Sequence, residues 1–387
     1  MNSIWSNNKY ISIVINVLLF LLGINFFHYG QFILPVICLI LFINNKYKIK
    51  VNNIKTFIVL ILFSISYFAF SYKQGFYSVM GFCLPMAYYI GSNIKDTSEN
   101  SAKSIIYLIS FGMICHVMLN FLMDYILNGM WLFKSSSHYD FWIPGKMPST
   151  ITTINCVPII GFLYYLFKYE KNKRIKYLFI VLFIVFIIYN FGLGQRTVYL
   201  LTFLSFFISI IIDIIINNNK TAKKSIIIIV CIFTLMIVLF NFNIFNIQEK
   251  LFYVRLIRKF LEQGFSTNRF DIFLETVKNM PYHLFGNKEI STLLGIMPHD
   301  LWLDVYDWGG IITFILLVIH TVLFIKVFID FVRNRKVSNE FKVFIIPMFV
   351  CIGIQCLLEP VMSGASLFLI VVILFESLLE NYLIREK

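Results

Sequence analysis

Apolar runs of about 20 residues recur from one end of this chain to the other, each long enough to cross a hydrocarbon core roughly 30 Å thick. Inside such a core every backbone amide must find its partner within its own segment or in a closed barrel, and runs of this length are helices. Only 14% of the 387 residues are charged, well below the level of soluble domains. The expected fold is an all-α polytopic membrane protein: one integral membrane domain over 1–387, with about 12 transmembrane helices. The spans fall at about 11–27, 30–45, 56–72, 76–94, 104–127, 149–167, 177–194, 197–216, 225–246, 301–329, 343–359 and 363–383. No small-residue cleavage site follows the first run, so it is expected to remain as a helix.

Lysine and arginine set the orientation, because basic loops stay on the cytoplasmic side. Placing both termini in the cytoplasm puts Lys46, Lys48, Lys50, Lys171, Lys173, Arg174, Arg333, Arg335 and Lys336 inside, along with roughly two thirds of the 33 basic residues. The short loops then alternate between basic and nearly uncharged. The exception is the large outer loop 247–300, which is basic although it faces out. Part of the net charge of +13 therefore serves orientation and contact with anionic headgroups, and the outward part is available for an anionic ligand. Nucleic-acid binding is excluded as a class, because no basic soluble module exists to carry it. Of the seven cysteines, none falls in the outer loop. With no Cys-x-x-Cys pair or Cys/His cluster, neither a disulfide framework nor a zinc site is supported.

Two outer loops interrupt the spans. The first, about 128–148, carries Trp131, His138, Asp140, Trp142, Pro144 and Pro148. In the second, residues 247–263 have helical periodicity. Leu251, Val254, Ile257 and Leu261 share one side, while Arg255, Arg258 and Lys259 lie on the other, as in a helix lying on the outer leaflet. Gly264 ends it. Ser266 or Thr267 can cap a second helix from about Arg269 to Asn279, and Pro281 and Gly286 break that one. The loop 247–300 is expected to pack on the membrane domain as an extracytoplasmic lid.

His299 lies between Pro298 and Asp300, where this loop meets the tenth span. It can be a capping or interfacial residue. Alternatively, the positive end of the helix dipole holds its imidazole neutral near neutral pH, ready to take a proton from a sugar hydroxyl. Asp300, Asp304 and Asp307 can orient that ring, or can serve only as favourable charges at a helix start. Arg196 follows Gly192-Leu193-Gly194-Gln195 in a very short outer hairpin, where a charge is costly unless paired or used. Arg196, Arg269, Arg255 and Arg258, with Lys259, are candidates for phosphate, since guanidinium binds it in bidentate fashion; for Arg255, Arg258 and Lys259 attraction to anionic lipid serves equally well. His116 and His320 read as buried packing residues, and Asp140 stands alone. Glu359-Pro360, at the outer end of the eleventh span, can pair with an arginine or touch substrate. No metal-spaced carboxylate cluster marks the outer face, so no metal or other cofactor is expected.

The order of these motifs resembles the O-antigen ligase and polymerase superfamily of bacterial envelope glycan enzymes. The features are the Gly-x-Gly-Gln-Arg hairpin ending at Arg196, Asn268-Arg269 heading a helix, and the turn with Pro281 and Gly286. Pro298-His299-Asp300-Leu-Trp-Leu and Trp308-Gly309-Gly310 follow. Family members usually have Asn where Asp300 stands. The resemblance implies inverting, metal-independent glycosyl transfer on the outer face of the cytoplasmic membrane, with a glycan on undecaprenyl pyrophosphate as donor. In that scheme His299 is the base, while Arg196, Arg269, Arg255, Arg258 and Asp300 bind the pyrophosphate or glycan. It also implies membrane lipids, a flippase and a chain-length regulator as partners. The leading expectation is a polymerase joining repeat units of a capsular or O-antigen polysaccharide. A ligase moving the finished glycan to another acceptor is the nearest alternative. A lipid-glycan transporter is a third, and it is disfavoured because the spans hold few charges in their middles.

Overall fold

The computed structural model describes residues 4–5, 8–128, 137–143, 145–217 and 268–386. Its helices begin with α1 (Lys9–Gly23), α2 (Ile33–Asn44), α3 (Ile54–Ser71), α4 (Phe76–Val79), α5 (Cys83–Ser92) and α6 (Glu99–Asn128). A hairpin of β1 (Ser137–Tyr139) and antiparallel β2 (Lys146–Pro148) follows, then α7 (Thr150–Lys168), α8 (Lys173–Leu193) and α9 (Arg196–Asn217). After these come α10 (Asn268–Asn279), α11 (Glu289–Leu294), α12 (Leu301–Arg333), α13 (Asn339–Leu358), α14 (Val361–Gly364) and α15 (Ser366–Glu386). Among the described residues seven helices, within α3, α6, α7, α9, α12, α13 and α15, are long and apolar enough to cross a membrane. Short polar residues start several of them: Asn53 accepts from the Lys55 amide (3.0 Å) and Asp300 from the Leu303 amide (2.8 Å), satisfying donors that have no partner inside the helix.

The chain divides into two compact units. The first takes the described residues of 1–113, 268–336 and 356–387. Here α15 packs on α5 and α12 runs along α3. At Gly91 a β-carbon would lie 2.7 Å from Ser377 Cβ, so this glycine permits the close helix approach that membrane packing favours.

Inside α12 the helix breaks at Gly310 (φ 72, ψ −173), a conformation essentially reserved for glycine. The break frees backbone groups, and the segment before α11 takes them. Ile311 N donates to Leu284 O (2.9 Å), Asn287 N to Trp308 O (2.9 Å) and Lys288 N to Asp307 O (2.7 Å). Gly286 (φ +71) faces the same break, where a β-carbon would sit 2.4 Å from Gly310 N. Lys288 Nζ then caps the Trp308 ring at 3.8 Å from its centroid, a cation–π contact. Gly310→Ala is expected to cost roughly 1–3 kcal/mol in backbone strain, with the clash against Leu284 O (2.5 Å) added. A lowered thermal midpoint and proteolysis near 284–288 should report it. Gly353→Ala, where a β-carbon meets nothing within 4 Å, should leave both unchanged.

The second unit takes the described residues of 114–267 and 337–355. Its hairpin is anchored by side chains of α6. Asp124 accepts from the Tyr139 amide (2.7 Å) and Tyr189 Oη (2.6 Å), and Asn120 accepts from the Phe141 amide (2.9 Å). His116 Nε2 lies 3.3 Å from Asp140 Oδ2, both side chains buried. Asp140, expected to stand alone, is therefore paired, and His116 is not a mere packing residue. Asp213 of α9 takes Lys168 and the hydroxyls of Tyr164 and Tyr169, neutralising a carboxylate within a membrane-length helix.

Other expectations change in detail. The first run forms a 15-residue helix about 22 Å long, ended by left-handed residues at Asn25, Phe27 and His28. The expected span 76–94 is interrupted by a 3-10 turn at Met80–Phe82 between α4 and α5. The tenth span extends to Arg333. The ninth span (225–246) and the helix 247–263, with Arg255, Arg258 and Lys259, lie outside the described residues. His320 is buried but not merely packed: its Nε2 lies 3.1 Å from Glu376 Oε2. That pair sits deep within two membrane-length helices, so the span interiors are less free of charge than the sequence implies.

Candidate functional site

Three aspartates in the opening turns of α12 organise one end of the first unit. Asp300 caps α12 itself. Asp304 Oδ2 accepts from the Ser363 amide (2.9 Å), which pins α14, and Asp307 Oδ1 accepts from the Ile290 and Ser291 amides (3.0 Å each), which pins α11. Carboxylates at free amide donors of a short helix act as caps. The hydrogen bonds of these acids go to the segments they cap and none to His299, which gives them a capping role.

The pinned segments bring three side chains together. The helix expected from about Arg269 to Asn279 is present as α10. At its first turn Arg269 donates through Nη1 to Leu358 O (2.8 Å) and through Nη2 to Glu359 Oε1 (3.0 Å). The other oxygen of that carboxylate, Glu359 Oε2, lies 4.0 Å from His299 Nδ1. That is too long for a hydrogen bond, and Nδ1 is buried with no hydrogen-bond partner. One carboxylate thus holds the arginine and faces the imidazole. Glu359 is 4% exposed, whereas the Arg269 side chain is 39% and the His299 side chain 29% exposed. The acid is a buried hub, and its two neighbours reach the surface.

Electrostatics follows from this placement. Burial pushes the His299 pKa below its ordinary value, and the nearby Arg269 guanidinium pushes it further down, so the neutral ring prevails at neutral pH. Burial raises the Glu359 pKa, while Arg269 pulls it back. Burial also raises that of Asp300, partly offset by the amides of Leu303 and Trp302. A neutral imidazole beside a fixed cation can accept a proton while the cation stabilises a developing anion.

The sequence-derived candidates divide accordingly. His299 and Arg269 come together, and Asp300 serves as the α12 cap. Arg196 is exposed at the start of α9 in the second unit. Gln195, beside it, is buried and donates to Ser149 Oγ, and Gly194 turns the hairpin at φ +65. Arg255 and Arg258 lie outside the described residues. Glu359 was legible only as an acid before proline at a span end, a pattern that named it as a possible arginine partner without placing it at the centre.

Comparison with curated proteins finds no match. The family model for the O-antigen polysaccharide polymerase Wzy matches residues 79–300. That range includes Arg196, Arg269 and His299 and stops before Glu359. The match takes in more than half of the chain, which belongs to the O-antigen polysaccharide polymerase Wzy family.

Proposed function

We propose that the chain polymerises oligosaccharide repeat units carried on undecaprenyl pyrophosphate, by inverting and metal-independent glycosyl transfer on the outer face of the cytoplasmic membrane. Its product is a polysaccharide of O-antigen or capsular type. The observation that carries this reading is the single carboxylate, Glu359, that holds Arg269 and faces His299. Both termini lie in the cytoplasm, about 12 spans cross the membrane, and the loop 247–300 packs over the site as a lid within one membrane domain.

In the reaction the acceptor hydroxyl gives its proton to His299 Nε2, the ring nitrogen turned away from Glu359. The hydroxyl oxygen bonds the anomeric carbon from the face opposite the pyrophosphate. The bond from that carbon to the pyrophosphate oxygen breaks, and its electron pair leaves on the pyrophosphate beside Arg269. The proton on His299 then passes to solvent. Two N–H groups of Arg269 are held by Leu358 O and Glu359, which leaves the rest of its fork for phosphate oxygens. That charge grows as the bond breaks, so the interaction lowers the barrier and not merely the binding energy. Arg196 and, from the loop, Arg255 and Arg258 supply further contacts to the pyrophosphate or glycan.

The cellular test is the size distribution of envelope glycans in strains carrying His299→Ala or Arg269→Ala at normal protein level. Single repeat units in place of long chains are expected. Unchanged long chains would refute the assignment, and long chains left on the lipid carrier would make the protein a ligase.

Glu359→Gln gives a second test. Removing a negative charge near the imidazole leaves Arg269 unopposed and lowers the His299 pKa further. The acid limb of kcat/KM, already below the ordinary histidine range, should move to lower pH while kcat falls. A limb that moves upward, or does not move, would show that Glu359 does not act on His299.

A further inference from the structure

The outer site leaves unused a cluster of ionisable groups deep in the first unit. Glu376 lies ten residues into α15, about 15 Å along the helix and near the middle of a roughly 30 Å core. It is 1% exposed. Its carboxylate meets His320 Nε2 of α12 at 3.1 Å, yet neither of its oxygens accepts a hydrogen bond, and the His320 Nε2 makes none. One turn further along α15, Glu380 accepts from Tyr88 Oη of α5 and from Asn53 Nδ2 (3.0 Å). It is near enough to Glu376 and His320 to interact with both. Asn53 is the cap of α3, at a helix end and only half-buried, so the polar chain reaches from mid-helix depth to one end of the unit. Around the Glu376–His320 pair α5 contributes Tyr88 and α15 contributes Glu380.

An ionised carboxylate at this depth without hydrogen-bond donors costs several kcal/mol. The geometry resolves that cost only if the carboxylate binds a cation. A sodium ion would need several oxygen ligands. Both oxygens of Glu380 are already engaged, and imidazole suits transition metals better than hard cations. A proton needs a single oxygen, and a base stands 3.1 Å away to exchange it.

We propose that Glu376 and His320 form a membrane-embedded proton-binding site, reached from the Asn53 end through Glu380. The bound proton moves between His320 Nε2 and Glu376 Oε2, so that the occupied pair is either a neutral acid beside a neutral imidazole or a carboxylate beside an imidazolium. Buried surroundings with no hydrogen bond to the carboxylate favour the neutral form. The site stands whether or not the outer residues transfer sugars.

Infrared difference spectroscopy on the full-length protein in proteoliposomes tests this. Wild type should show the carbonyl stretch of a protonated carboxylic acid, shifting in heavy water. Glu376→Gln should abolish it and Glu380→Gln should retain it. No such band, or a band lost in Glu380→Gln and kept in Glu376→Gln, would overturn the proposal. So would loss of the band when sodium replaces choline at constant pH, which would make the ligand sodium. If Glu376→Gln does not fold, His320→Gln carries the assignment. Without the neighbouring imidazole the Glu376 carbonyl band should move in frequency, and an unmoved band refutes the pairing.

Discussion

Replacing His299 with alanine is expected to lower the rate of glycosyl transfer about 10²–10⁴-fold, the usual contribution of a positioned general base. KM should change little, because proton transfer occurs only in the transition state. The same substitution should erase the acid limb of the pH profile. That limb belongs to the imidazole, whose pKa is held low first by burial and then by Arg269. Because the folded value lies below the ordinary one, wild-type activity should be full at neutral pH and fall only on further acidification. His299 sits outside the capped turns of α12 and makes no hydrogen bond at Nδ1, so its loss should leave folding intact. Single-turnover rates across pH, with the thermal midpoint as control, check all three points. A limb surviving in His299→Ala would assign the base to another residue.

Arg269→Ala should cost about 10²–10³-fold in kcat, comparable to losing one oriented donor from a site of developing negative charge. It should also shift the acid limb upward, opposite to Glu359→Gln. Arg269 is one cause of the lowered His299 pKa, and its removal restores part of the ordinary value. Burial would then act on Glu359 without the opposing cation, and that acid would tend toward its neutral form. Arg269→Lys should recover only part of the rate, since an ammonium cannot bridge Leu358 O and Glu359 as a fork while also facing a phosphate. Equal activity of the lysine variant would reduce Arg269 to a point charge.

Local signals made much of this legible in the sequence. The helix ending at Asn279, the break after it and the start of the tenth span each rest on a cap, a proline or a glycine within a few residues. His299 and Arg269 were legible for the same reason, since both stand at helix starts. Glu359 was legible only as a possible arginine partner, because nothing near Pro360 in the chain reveals that a histidine from another element also converges on it. Gly286 and Gly310 were visible as motif positions. Their shared role, backbone fitted into a break in α12, depends on two segments meeting and leaves no periodic trace. The pairs His116–Asp140 and His320–Glu376 were missed on the same ground: a lone ionisable residue in an apolar run reads as packing until its partner on another element is known. The three aspartates of α12 looked like one cluster, yet they cap three different helices.

Whether this chain alone elongates a lipid-linked glycan is the most direct question. Purified protein in proteoliposomes, given one chemically defined repeat unit on a polyprenyl pyrophosphate and no other acceptor, should yield a ladder of longer lipid-linked products. Released polyprenyl pyrophosphate should match the number of bonds formed, and both should vanish in His299→Ala. Unelongated substrate that crosses the bilayer, or substrate left unchanged by a folded wild-type protein, would contradict the account.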